Sequence, residues 1–207
     1  MQQFIIKRFG EEGLDNMGEN PIVGTNEQPA DPHFEPTPEN ARPIRRGYTV
    51  LIDLWAKLDQ PGSVFYDITW CGFIGSGPVP EKYREIFNTV RDARKAAVQF
   101  IRDRFAAGEP VYGWEVDDAC RAVVEDAGYG EYFVHRTGHG IGLEEHEDPY
   151  IVEGNEQLLA AGHAYSVEPG IYVPGKWGMR LEDIVVTTAA GPQRLNNSDH
   201  RLASVVA

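Results

Sequence analysis

"FVHRTGHGIGLEEHEDP", residues 133–149, gathers three of the chain's six histidines around a glycine-rich bend and closes on four acidic residues. Glycines at 138, 140 and 142 argue against a helix, because each raises the entropic cost of a helix interior. His135 and His139 are four apart, the spacing of a helical H-E-x-x-H zinc motif, but the glycines and the missing glutamate exclude that reading. "GHGIG" does not match a G-x-G-x-x-G loop opening a helix, and "LEEHEDP" would repel a pyrophosphate. The stretch reads instead as a strand over 133–142 that holds His139 between two glycines.

Working outward, "YTVLIDLWA" (48–56) and "SVFYDITWCGFI" (63–74) read as β-strands rich in branched and aromatic residues, joined by a turn in "KLDQPGS". A long helix is expected over about 80–107, where Tyr83, Ile86, Phe87, Val90, Ala97, Ile101 and Phe105 keep helical spacing. A second helix runs through "WEVDDACRAVVEDAG" and stops at Gly128. Further strands are expected at "AYSVEPGIYV" (164–173) and "MRLEDIVVTT" (179–188). Before the first strand pair, residues 2–14 read as the end of a helix, and 15–47 as loops around one short strand near "PIVGT". Strands, a helix pair, then strands again make the class α+β.

Five polar residues break the apolar rule of these strands and turns. Asp53 interrupts "VLIDLW", Asp67 "VFYDITW", His139 "GHGIG", Glu168 "YSVEPGIY" and Glu182 "MRLEDIVV". Any one of them alone reads as the solvent face of a half-exposed strand; five together do not. Four carboxylates and one imidazole brought to one place would repel one another unless cations held them. The donor set suits divalent ions such as Mn²⁺, Co²⁺, Fe²⁺ or Zn²⁺. Four carboxylates exceed the charge of a single ion, so two metals sharing carboxylates are expected, roughly 3.5–4 Å apart. No G-x-S-x-G elbow is present and neither Cys71 nor Cys120 has a histidine beside it in sequence, so a nucleophilic Ser or Cys has little support.

The chain's length, 207 residues, fits one substantial domain, and 42% hydrophobic residues supply a core. The net charge of −13 argues against nucleic acid and against anionic membrane surfaces as partners. No apolar run reaches the roughly 20 residues that span a bilayer, and the amphipathic N-terminal stretch lacks a signal-peptide core. Two cysteines form no framework, so a reducing, cytoplasmic setting is expected.

In their order along the chain, "LIDLWA", "YDITW", "HRTGHGIGLEEHEDP", "YSVEPGIYVPG" and "GMRLEDIVVTT" resemble the pita-bread metallopeptidases. That family includes methionine aminopeptidases, prolidases and Xaa-Pro aminopeptidases, and "VEPGIY" and "RLEDIVV" are more similar to the Xaa-Pro branch. The resemblance implies a curved antiparallel sheet with helices on its outer face and a two-metal site on its concave face. It implies hydrolysis of an N-terminal peptide bond, with peptide, most typically Xaa-Pro, as substrate and manganese favoured over cobalt, zinc or iron. By the same resemblance Asp53 grips one ion with both oxygens, and Asp67 and Glu182 bridge the pair. His139 is the sole nitrogen ligand, while Glu168 is a ligand that also receives the attacking water's proton. His146 resembles a histidine that contacts the scissile peptide and the tetrahedral intermediate. His135 resembles a substrate-pocket histidine, and His33 one that helps handle the departing group. Strand alternation puts Arg180 on the face of Glu182 and Asp183 on the other, and Arg180 resembles a residue supporting site or substrate; a cross-strand ion pair is its plain alternative. A homodimer is also implied.

Three departures accompany the resemblance. Asp53 and Asp67 are fourteen apart, a wider spacing than the family usually has, which a lengthened turn at "LDQPGS" accounts for. Trp70 stands where many relatives carry arginine. Residues 1–207 are expected to form a single catalytic domain without the family's first long helix and N-terminal domain, leaving part of the apolar stripe on 83–105 uncovered. Two rival readings stand beside this one: a non-catalytic pita-bread binding protein, which the missing N-terminal part favours, and a metal-free C–N hydrolase resembling creatinase, which keeps the fold but not the full carboxylate set.

Overall fold

The computed structural model describes residues 1–196 and 202–205. Helix α1 (Gln2–Glu11) leads through β1 (Leu14–Asp15) and β2 (Ile22–Thr25) to a hairpin of two long strands, β3 (Thr49–Leu58) and β4 (Tyr66–Ile74). Helices α2 (Glu81–Ala107) and α3 (Gly113–Asp126) follow. The remaining strands are β5 (Gly138–Ile141), β6 (Glu147–Ile151), β7 (Ala164–Val167), β8 (Gly170–Val173), β9 (Trp177–Arg180), β10 (Asp183–Thr188), β11 (Gly191–Arg194) and β12 (Ala203–Val205).

In one sheet β3 pairs with β4 on one side and with β1 and β2 on the other, and β12 adds to β4 in parallel. The second sheet runs β11-β10-β7-β5-β6, all antiparallel, and β8 and β9 form a separate ribbon. The α+β order expected from sequence is present, but two strands are cut. "AYSVEPGIYV" breaks at Glu168–Pro169 into β7 and β8, and "MRLEDIVVTT" breaks at Leu181–Glu182 into β9 and β10. Val167 pairs with Asp183 on one side of the break and Gly170 with Arg180 on the other. The register is the same on both sides, so Glu168 lies opposite Glu182 where the ladder opens. Pro169 has no N–H to give to a ladder, and the Glu168 N–H donates to the Thr137 carbonyl instead (2.7 Å). The strand expected over 133–142 is likewise shorter: a 3-10 turn at Gly130–Tyr132 precedes it and β5 begins only at Gly138.

The apolar stripe of α2 is covered, contrary to the exposed patch expected from sequence. Tyr83, Ile86, Phe87, Val90, Ala93, Ala97, Val98 and Ile101 are buried, in one cluster with Val116, Cys120 and Val124 of α3 and with Leu51, Cys71, Val167 and Val185 of the sheets. The second helix and the sheets supply the cover, and each large side chain so buried contributes about 1.5–3 kcal/mol. Within that stripe Arg94 is fully buried, its Nε 3.1 Å from Asp183 Oδ2. Among the described residues no helix is long and apolar enough to cross a membrane.

Candidate metal centre

The β3–β4 hairpin supplies the first two ligand-type residues. Asp53 faces Thr69 across the ladder and Asp67 faces Trp55, so the two aspartates are diagonal neighbours on one face of the sheet. The wide spacing between them is taken up by the turn at 59–65, leaving the pairing of 53 with 69 intact. The breaks in the β7–β8 and β9–β10 segments add Glu168 and Glu182, and β5 adds His139. One oxygen each of Asp53, Asp67 and Glu182 lie within 4.8 Å of one another. His139 Nε2 is 3.9 Å from Asp67 Oδ2 and 3.2 Å from Glu168 Oε1. All five residues singled out in the sequence thus meet at one point, and His139 and Glu182 are entirely shielded from solvent.

Gly138 explains the glycine beside His139. A Cβ there would sit 2.0 Å from the Ser166 carbonyl oxygen, so β5 approaches β7 more closely than any side chain permits. Ser166 then ties the two strands at the site: its Oγ accepts from the His139 N–H (3.0 Å) and donates to Glu168 Oε1 (3.2 Å).

His139 Nδ1 lies 2.9 Å from the Gly140 carbonyl, which can only accept, so Nδ1 carries a proton. Nε2 is turned toward carboxylates yet makes no hydrogen bond, and neither do the buried Asp67 Oδ1 and Glu182 Oε1. Buried polar atoms are rarely left so. Something positive must lie between them, either a proton held within the cluster or a cation in its place. Burial, with the negative charges of Asp53 and Glu168, pushes the Asp67 carboxyl well above the usual carboxylate range. Burial and Asp67 do the same to Glu182. Against the penalty of its own burial, Glu168 is held down to about 2 by His139, with Arg180 adding its charge. An imidazole lone pair and carboxylate oxygens in this arrangement fit divalent cations of the borderline class.

Outer partners fix these ligands. Thr69 Oγ1 accepts from Arg180 Nε (3.1 Å) and donates to Glu182 Oε2 (3.2 Å). Arg180 also donates to Asp53 Oδ2, to the Tyr172 hydroxyl (2.5 Å) and to the Pro32 carbonyl (3.3 Å), and lies 3.8 Å from Glu168 Oε2. It does share a face with Glu182, while Asp183 points away toward Arg94. The Tyr172 hydroxyl, accepting from Arg180, donates to His135 Nε2 (2.7 Å), and His135 Nδ1 donates to the Arg136 carbonyl (2.7 Å). Both ring nitrogens of His135 are therefore engaged in a neutral tautomer, and burial draws its pKa down to about 4.

A cavity of about 540 Å³ opens over the centre, and Asp53, Asp67, Glu168, Arg180, His33, His135 and His146 all line it. His33 is exposed at its edge. His146 is half-exposed, its ring 4.2 Å from that of His139, and burial followed by the neighbouring His139 lowers its pKa to about 4. Sequence reasoning missed Thr69, Tyr172, Glu19, Glu145 and Arg136. Thr69 and Tyr172 look like ordinary strand residues, and the other three sit among surface-like charges. Glu145, raised to about 8 by burial and by Glu19 and Asp53, is the most perturbed of these. Asp117 was also missed: buried on α3, it accepts from the Thr137 hydroxyl (2.6 Å) and from Arg121, fixing the backbone just before β5.

A family model described as metallopeptidase family M24 matches residues 1–189. Over 184 residues the chain is 41% identical to a probable dipeptidase PepE of Mycobacterium tuberculosis, covering 89% of this chain and 46% of that one. It is 38% identical to an Xaa-Pro dipeptidase of Lactobacillus helveticus, covering 87% of this chain and 45% of the relative. Among solved structures, dipeptidase PepE from Mycobacterium ulcerans superposes with a TM-score of 0.85 at 41% identity, over all of this chain and 52% of that one. The chain spans about half the length of the relatives it matches, and with them it shares the pita-bread fold. A family match over most of its length, and relatives at this identity, establish that the chain belongs to metallopeptidase family M24.

Proposed function

We propose that this chain carries the catalytic centre of a two-metal peptidase that hydrolyses the N-terminal bond of Xaa-Pro peptides. The observation that carries the reading is the gathering of Asp53, Asp67 and Glu182 oxygens within 4.8 Å of one another, with His139 Nε2 3.9 Å from Asp67 Oδ2, at the side of a cavity that Asp53, Asp67 and Glu168 line; in this cluster Asp67 Oδ1, Glu182 Oε1 and His139 Nε2 are buried without hydrogen-bond partners. Asp53, Asp67, His139, Glu168 and Glu182 would hold a pair of divalent ions, manganese by preference. Such ions supply a water of lowered pKa and polarise the peptide carbonyl.

The chain's own residues do the rest. Glu168 spends Oε1 on Ser166, which leaves Oε2 to accept the proton of the attacking water. His146 borders the cavity with a half-exposed ring and donates toward the developing oxyanion, where a placed donor counts most. His33, at the edge, serves the departing residue. Arg180 holds Asp53 and steadies Glu168, and His135 stiffens the wall through Tyr172. The names of the relatives, dipeptidase and Xaa-Pro dipeptidase, support the substrate class. A cytoplasmic setting and a homodimer belong to the same proposal; both described cysteines are free and buried.

The test is peptidase assay with Mn²⁺ or Co²⁺ on Xaa-Pro peptides, comparing wild type with Glu168→Gln and His139→Ala. Turnover by wild type and its loss in both variants is expected; full activity in either variant rejects the site.

A further inference from the structure

One wall of the cavity gathers acid around an aromatic plate. Glu19 and Glu145 line it beside Trp55 and His146. The Trp55 indole N–H donates to Glu19 Oε2 (3.1 Å), which fixes that carboxylate against the edge of the ring. Glu145 lies within hydrogen-bonding reach of Glu19, and its side chain is only 19% exposed. Two carboxylates so placed repel one another unless a proton or a cation stands between them. Burial, then Glu19, raises the Glu145 carboxyl to about 8, as expected of a pair short of a cation.

The chain's own cations do not answer this wall. Among the described residues no lysine or arginine forms an ion pair with either carboxylate. His146 Nε2 stands 3.4 Å from Glu145 Oε1, but burial lowers the pKa of that ring to about 4, so it brings no charge at neutral pH. Lys57 lies over the Phe65 ring (4.5 Å) and gives its ammonium to the Leu143 carbonyl (2.7 Å). Asp67, 6% exposed on the same cavity, has its own Oδ1 buried and unpartnered, a further sign that the lining lacks positive charge. A second cavity of about 280 Å³ shares Glu19, Trp55, Glu145 and His146 with the first and adds Phe65 and Glu144. That hollow suits a long basic side chain, whose methylenes pack on the aromatic rings while its charged head meets the carboxylates.

We propose that Glu19 and Glu145 form a specificity-determining subsite for a cationic side chain on the substrate's first residue, so that Arg-Pro and Lys-Pro peptides are preferred over neutral ones. The proposal rests on the peptidase reading, which puts the departing residue by His33 and leaves this wall to the first residue. A guanidinium or ammonium there supplies the missing counter-ion of both carboxylates, whereas a neutral side chain leaves them to repel.

The test measures kcat/KM on the Mn²⁺-loaded full chain for Arg-Pro and for citrullyl-proline, which has nearly the same shape without the charge. Wild type, Glu145→Gln, Glu19→Gln and the double variant are each first checked for folding by circular dichroism. Glu19 is exposed, so Glu19→Gln keeps the test open even where Glu145→Gln fails to fold. Wild type is expected to favour Arg-Pro by about tenfold or more. Either single variant should cut that ratio by about threefold, and the double variant should bring it within about twofold of one. Because the ratio compares two substrates on one protein, a disturbance of His146 beside Glu145 cancels from it. A wild-type ratio near one, or a ratio that survives the double variant, overturns the subsite. Calorimetry with L-arginine and L-citrulline separates this idea from the peptidase reading. A preference for arginine that the double variant loses, without turnover of any peptide, keeps the subsite and removes the hydrolase reading. Equal binding of the two, or binding of neither, with no turnover overturns both; turnover without preference removes the subsite alone.

Discussion

Glu145 carries a carboxyl whose proton reports on the charge gathered around the cavity. Its folded pKa is raised to about 8 from 4.5, by burial first and then by Glu19 and Asp53. Between those values the folded protein keeps a proton that the unfolded chain has lost, so this group's contribution to stability falls as pH rises through the window. Glu145→Gln removes that slope. The melting temperature of the EDTA-treated variant should therefore gain on wild type steadily from pH 4.5 to 8, and a constant offset would show that Glu145 titrates normally. Thr69 tests the wiring of the ligands instead. Its hydroxyl links Arg180 to Glu182, so Thr69→Val, nearly the same shape, should weaken Mn²⁺ binding by about 10–100-fold in calorimetry. The five ligand-type residues were legible because a charge inside an apolar strand is conspicuous. Tyr172 was not, since a tyrosine in a strand needs no special reason, and only its hydroxyl's position between Arg180 and His135 shows its use.

Two broken strands position Glu168 and Glu182, and the breaks were the least legible part of the fold. The apolar pattern continues through each gap in the same register, so 164–173 and 179–188 read as whole strands, with Pro169 as the one local sign of a cut. Strand β6 begins with charged residues, and β12 pairs in parallel with a strand some 130 positions earlier in the chain; neither leaves a local signature. The close contact of β5 with β7 makes a sharper claim. Gly138→Ala would drive a Cβ against the Ser166 backbone and should destabilise the protein by about 3 kcal/mol while displacing His139. In Gly142→Ala the nearest atoms to the new Cβ belong to the carboxylate end of Glu147, which can swing away, so a smaller loss is expected. Chemical denaturation and Mn²⁺ titration of both variants check this; equal effects would mean that the glycines matter for flexibility alone.

Across the whole molecule, the helical layer is bolted to the site through charge as well as apolar contact. Arg94, buried in the α2 stripe, pairs with Asp183, the residue next to Glu182. Arg94→Met would remove a fully buried cationic partner of the buried Asp183 carboxylate and should cost about 3–5 kcal/mol in denaturant unfolding. A loss under 1 kcal/mol would show that α2 is held by its apolar face alone. That face was legible from helical spacing; its cover was not, because α3 and the sheets close over it through contacts far apart in sequence. The central claim is that these layers bring four carboxylates and one imidazole together to hold two cations. Anomalous scattering at the manganese edge, from crystals grown with Mn²⁺, tests it most directly. Two adjacent peaks bounded by Asp53, Asp67, His139, Glu168 and Glu182 are predicted, and an absence of peaks among those side chains, or a single ion bound elsewhere, would contradict the account.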